Sequence, residues 1–138
     1  MTKPAVEHQV SVHPFVRGMA PEHSAAIASV SEQVKFESGR FIFRAGDTAD
    51  HFYLIRTGMV SLEVARDELH PHTIQILNEG EVLGWSWRFE PYEWHFDARA
   101  QTPVQAISID AARLRELCDA DHALGYELML RIDRKSVV

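Results

Sequence analysis

The chain has 138 residues, 46% apolar and 25% charged, enough for one globular domain with a real core and too few for a second. Its 20 acidic and 14 basic side chains leave a formal charge of −6, and the basic residues are scattered, which excludes a surface built to neutralise nucleic-acid phosphates. A single cysteine, Cys118, excludes an intrachain disulfide and an all-cysteine zinc site. It reads as a small core residue on a helix, and suits a reducing compartment. No apolar run approaches bilayer length, and the first ten residues lack a signal-peptide core, so a soluble, cytoplasmic protein without membrane contact is expected.

Residues 1–12 are polar, with Pro4 and little periodicity, and are expected to be a flexible N-terminal arm, leaving 13–138 as the domain. His13-Pro14-Phe15 opens the folded part. Pro21 suits a first helical turn, and Ala26, Ile27 and Val30 share one face, which predicts a short helix over 22–31. Short β-branched and aromatic runs follow at 33–36, 41–43, 52–56, 59–65, 73–77, 93–100 and 104–109. Gly, Asp, Asn and Pro separate them at the spacing of an all-β roll or sandwich over about 33–109. Gly39, Gly46 and Gly58 fall at corners where a positive φ is free of the Cβ penalty. Asp110 is a plausible N-cap for C-terminal helices over about 110–135. Leu114, Leu117 and Cys118 form one stripe there, and Leu124, Leu128 and Ile132 another, with Tyr126 and Leu130 as a second apolar flank.

Three segments carry a resemblance: Phe36-x-x-Gly39-x-Phe41-Ile42-x-x-x-Gly46, then Phe52-Tyr53-x-Ile55-x-x-Gly58-x-Val60-x-Leu62, then Gly80-x-x-x-Gly84. Together they resemble the cyclic-nucleotide-binding, catabolite-activator-like superfamily over about residues 19–110. The resemblance implies a mainly β fold, a double-stranded β-helix jelly roll with flanking N- and C-terminal helices. It also implies a regulatory rather than enzymatic role. In that superfamily a Glu after the second glycine holds the ribose, and a later Arg holds the cyclic phosphate. Here Trp85 stands at the Glu position, and counting back from Ala100 puts Trp94 at the Arg position. Without those partners an anionic ligand is left unpaired in a low-dielectric pocket, at a cost of several kcal/mol. A stand-alone sensor that does not bind cAMP or cGMP is therefore expected. Because the helix-turn-helix domain of the family's transcription factors would begin where this sequence ends, direct DNA binding is not expected.

The segment Gly80–Arg99 places six aromatic residues, Trp85, Trp87, Phe89, Tyr92, Trp94 and Phe96, within twelve positions. One reading makes it an aromatic-lined pocket for a flat or apolar non-nucleotide molecule. Gly84, Trp85, Ser86, Trp87, Arg88, Trp94, His95 and Arg99 are then the candidate ligand-binding residues, with Arg99 facing either inward or outward. The other reading has the rings plugging a vestigial pocket, in a structural or protein-interaction module. Pro91 disfavours a helix through Glu90 to Trp94, so a turn is expected in place of the family's short helix.

In the superfamily the long C-terminal helix pairs about a two-fold axis. Leu124, Leu128 and Ile132 are accordingly the expected homodimer seam, unless the helix folds back over its own roll. No cofactor or metal is expected. His70-Pro71-His72 with Glu79 and His95 loosely resembles the cupin metal pattern, and His72 or His95 would be the axial ligand of a haem sensor. However, Pro71 between the first two histidines removes a ladder donor that an interior strand would need. No nucleophile–base arrangement, P-loop or dinucleotide turn is recognisable, so no catalytic residue is assigned.

Overall fold

The computed structural model describes residues 3–65, 71–83 and 96–135. In chain order the elements are α1 (Lys3–Val12), α2 (Pro21–Ser29), β1 (Ser31–Phe36), β2 (Phe41–Phe43), β3 (His51–Thr57), β4 (Val60–Ala65), β5 (Pro71–Leu77), β6 (Val82–Leu83), β7 (Asp97–Ala100), β8 (Val104–Asp110), α3 (Ala111–Ala120) and α4 (His122–Lys135).

The strands form two antiparallel four-stranded sheets. The inner sheet runs β1-β8-β3-β6 and the outer sheet β2-β7-β4-β5. Strand alternation divides the apolar residues between two cores. Phe52, Leu54, Ile107 and Ile109 pack on the helices, alongside Phe15, Ile27, Leu114 and Leu124. Their neighbours Tyr53, Ile55, Val104 and Ala106 face the outer sheet, meeting Phe43, Val60, Leu62, Leu77, Ala98 and Ala100. The order of layers is thus helices, inner sheet, outer sheet, the jelly-roll architecture with flanking helices expected from the sequence.

Local chemistry sets the boundaries. Asp110 caps α3 by accepting from the Arg113 N–H at 3.1 Å, and Asp121 accepts from Ala123 and Leu124 at 3.1 and 3.3 Å to open α4. Gly58 turns between β3 and β4 at φ +98°, where an added Cβ would run into the Pro103 carbonyl. Pro71 opens β5, the edge strand of its sheet, where a missing N–H is tolerated. Gly125 packs on Cys118, with the position of its absent Cβ 3.4 Å from the cysteine Cβ, so the close approach it permits is between α3 and α4.

The N-terminus corrects the sequence reading. Residues expected to form a flexible arm make α1, whose Val6 and Val10 are buried in the helical core. A valine pair spaced i, i+4 among polar residues is one short stripe, too little periodicity to stand out, but enough to anchor a helix once a core is present. The two-residue strand β6 was also not anticipated.

Candidate ligand site

The space between the sheets is where the sequence reading puts a ligand. From the inner sheet it is bordered by Tyr53, Ile55, Leu83 and Ala106, and from the outer sheet by Leu62 and Ala98. Leu83, the last described residue before 84–95, and Phe96, the first after it, are both buried in this core, at 0% and 7% exposure. Gly84, Trp85, Ser86, Trp87, Arg88, Trp94 and His95 themselves lie outside the described residues, as does His70.

Tyr53 brings a hydroxyl to this apolar set. Burial, and secondarily the negative charge of Asp50, push its phenol up to about 12. It therefore stays neutral at physiological pH. Its ring meets Phe36 edge-on at 6.2 Å and lies 6.1 Å from the His51 ring, and His51 Nδ1 is 3.0 Å from the buried Ser108 hydroxyl. Phe43 and Phe96 pack with centroids 5.9 Å apart.

Arg99, whose orientation the sequence left open, turns away from the interior. Its neighbours Ala98 and Ala100 are fully buried between the sheets, so alternation puts Arg99 on the far face of β7. There its Nη2 donates to Glu63 Oε2 at 2.9 Å. Glu63 is 3% exposed and also accepts from the Ser61 hydroxyl at 2.8 Å, while the Gln101 amide donates to Ser61 at 2.7 Å. The Arg99 guanidinium also lies 5.5 Å from the Phe41 ring, which Arg44 approaches at 4.0 Å. Arg99 thus closes a polar network on the outer face and is not a handle for a ligand between the sheets. Sequence reading missed this network, although Ser61 and Glu63 interrupt an apolar strand with period two, a usable signal for a polar face.

The dimer residues are also repositioned. Leu124 and Leu128 are 1% and 2% exposed within a single chain and belong to the helical core. That stripe is spent on the domain's own packing, as in the fold-back alternative. Among the described side chains of α4, the large apolar ones left exposed are Tyr126 and Met129, at 68% and 38%; the Ile132 side chain lies outside the described ones. His72 and Glu79 are exposed, and among the described residues no three His, Cys, Asp or Glu side chains gather as a metal site. Also among the described residues, no helix is long and apolar enough to cross a membrane.

The cyclic nucleotide-binding domain family model matches residues 33–121. The chain belongs to that family. It is 27% identical over 116 residues to a CRP-like cAMP-activated global transcriptional regulator of Mycobacterium tuberculosis, covering 84% of this chain and 51% of the regulator. The chain therefore spans about half the length of that relative. Among solved structures, a candidate cyclic nucleotide-binding protein of Geobacter metallireducens GS-15 superposes with a TM-score of 0.84 at 30% identity, covering 94% of both chains. The regulatory subunit of a cAMP-independent protein kinase A from Trypanosoma brucei shares the fold at a TM-score of 0.79 and 21% identity, over 98% of this chain and 47% of that one.

Proposed function

We propose that this domain is a regulatory sensor of the cyclic nucleotide-binding family whose pocket takes an uncharged, flat or apolar small molecule in place of a cyclic nucleotide. The observation that carries this reading is the engagement of Arg99 with Glu63 on the outer face, which removes from the interior a cation that the pocket's own segment could have supplied. Trp85 and Trp94, standing where the family places its ribose-binding Glu and phosphate-binding Arg, point the same way. The described interior is apolar apart from the neutral Tyr53 hydroxyl, a lining that suits dispersion and ring stacking rather than an anion. The mycobacterial relative is cAMP-activated, whereas the trypanosomal subunit is cAMP-independent, so the fold accommodates both behaviours.

The signal would leave through α4, with Tyr126 and Met129 meeting a second copy of the chain. The acidic net charge disfavours nucleic acid as a partner. A second reading, a structural module with a filled roll, is favoured by the ring packing of Phe43 on Phe96 and Phe36 on Tyr53. Native mass spectrometry on protein purified from its own host separates the two. A retained non-nucleotide adduct supports the sensor; bare chain in every preparation supports the filled module.

A further inference from the structure

We propose that His13 is a proton-sensitive latch tying the turn that enters residues 84–95 to helix α4. His13 is 4% exposed, and both ring nitrogens are engaged. The Phe15 backbone N–H donates to Nδ1 at 3.1 Å, which makes Nδ1 an acceptor and places the ring proton on Nε2, 2.9 Å from the Ile55 carbonyl that receives it. That carbonyl also accepts the Gly80 N–H at 2.9 Å, while the Ile55 N–H donates to the Glu81 backbone carbonyl at 3.0 Å. One imidazole therefore shares an acceptor with the turn leading into β6 and the aromatic segment. Pro14 packs on the same turn, its Cγ 3.2 Å from where a Gly80 Cβ would stand.

The other end of the latch reaches α4. Arg131 Nη1 donates to the Phe15 and Arg17 carbonyls at 2.9 and 2.8 Å, and its Nε to Glu127 at 2.8 Å. The Phe15 ring packs edge-on against Phe52 at 5.6 Å, fixing the segment between the two attachments. His13 to Arg131 is thus a continuous chain of hydrogen bonds and packing from the turn to the helix.

Adding a proton to Nδ1 turns an acceptor into a donor facing the Phe15 N–H, so that hydrogen bond is lost and the closed arrangement is disfavoured. A cavity of about 290 Å³ bordered by Val12, His13, Pro14, Arg56 and Glu79 gives water a route to the ring. Among the described residues, the charged groups near the latch include Arg56 on β3 and Glu79 in the turn before β6, which border the cavity, and Arg131 of α4 on the far side of Phe15; α1 borders the cavity with the uncharged Gln9 and Val12. The closed latch excludes a proton that the opened one accepts. The opened population therefore rises as pH falls, by up to about tenfold per pH unit below the transition for a one-proton process.

Two measurements test this. Long-range ¹H–¹⁵N spectra at pH 7.5 should show His13 as the neutral Nε2–H tautomer; an Nδ1–H tautomer or a charged ring overturns the proposal. All three tryptophans, Trp85, Trp87 and Trp94, lie in the segment after Gly80, so intrinsic fluorescence reports on it. Between pH 8 and 5.5 the wild type should show a one-proton step, with exchange of the Phe15 and Gly80 amides, corrected for intrinsic pH dependence, rising in parallel. His13→Asn keeps an acceptor for Phe15 but does not titrate, and should abolish the step, while His23→Asn and His51→Asn retain it. A step that persists in His13→Asn overturns the latch. Should that variant not fold, the wild-type tautomer and amide exchange decide.

Discussion

The Arg99 guanidinium reaches Glu63 at 2.9 Å across the β4–β7 pairing, on the sheet face opposite the interior. The two ends of this pair are unequally buried: Glu63 is 3% exposed and the Arg99 side chain 34%. Arg99→Ala strands a buried carboxylate and should destabilise the domain by about 3 kcal/mol, the low end for a broken buried pair because Arg99 is partly solvated. Glu63→Gln keeps an acceptor for Ser61 and should cost less. Urea unfolding of both, with the double variant, gives the coupling; a loss below about 0.5 kcal/mol for Arg99→Ala would mark the pair as a surface bridge of little consequence.

Val10 tests the N-terminal helix. It is fully buried whereas Val12 is 50% exposed, so Val10→Ala should cost about 2 kcal/mol and Val12→Ala almost nothing. Equal, negligible effects would return residues 1–12 to the status of an arm.

Most of the strand runs and the corner glycines were legible because they rest on local physics: β-branched and aromatic runs between turn residues, and positive φ at Gly39, Gly46 and Gly58, at +89°, +92° and +98°. Arg99 was not, because its direction depends on the register that sets Ala98 and Ala100 inward, and one residue of slip would reverse it. Leu124 and Leu128 were legible as a stripe but not as to what covers the stripe, since a helix pattern reads the same against its own core or a partner. His13 was invisible as a hub because its partners at Ile55 and Gly80 are far away in sequence.

For α4 the burial pattern changes which substitution reports on assembly. Leu128→Asp buries a charge in the helical core and should unfold the domain. Tyr126→Asp and Met129→Asp should leave the circular dichroism spectrum intact and turn a dimer into a monomer in light scattering after size exclusion. A wild type that is monomeric at tens of micromolar rules out the dimer proposed here.

Tyr53 sets an alkaline limit. Its folded-state value of about 12 lies above the ordinary 10.0, so the folded state holds the phenolic proton more tightly. The stability it contributes is complete below about pH 10 and is lost as pH rises towards 12. Absorbance at 295 nm should show one tyrosine of the wild type ionising late, and Tyr53→Phe should remove that step and flatten the alkaline fall in stability. A wild type in which every tyrosine ionises together near pH 10 would place Tyr53 in water.

Calorimetric titration of the full chain with cAMP and cGMP at pH 7 addresses the ligand reading most directly. If Trp85 and Trp94 stand at the ribose and phosphate positions, as the sequence resemblance implies, then with Arg99 held by Glu63 neither nucleotide should give measurable binding at concentrations up to about 1 mM, corresponding to a binding free energy weaker than about −4 kcal/mol. A micromolar or tighter dissociation constant for either, near −8 kcal/mol, would contradict the account and require another cation, such as Arg88, to hold the phosphate.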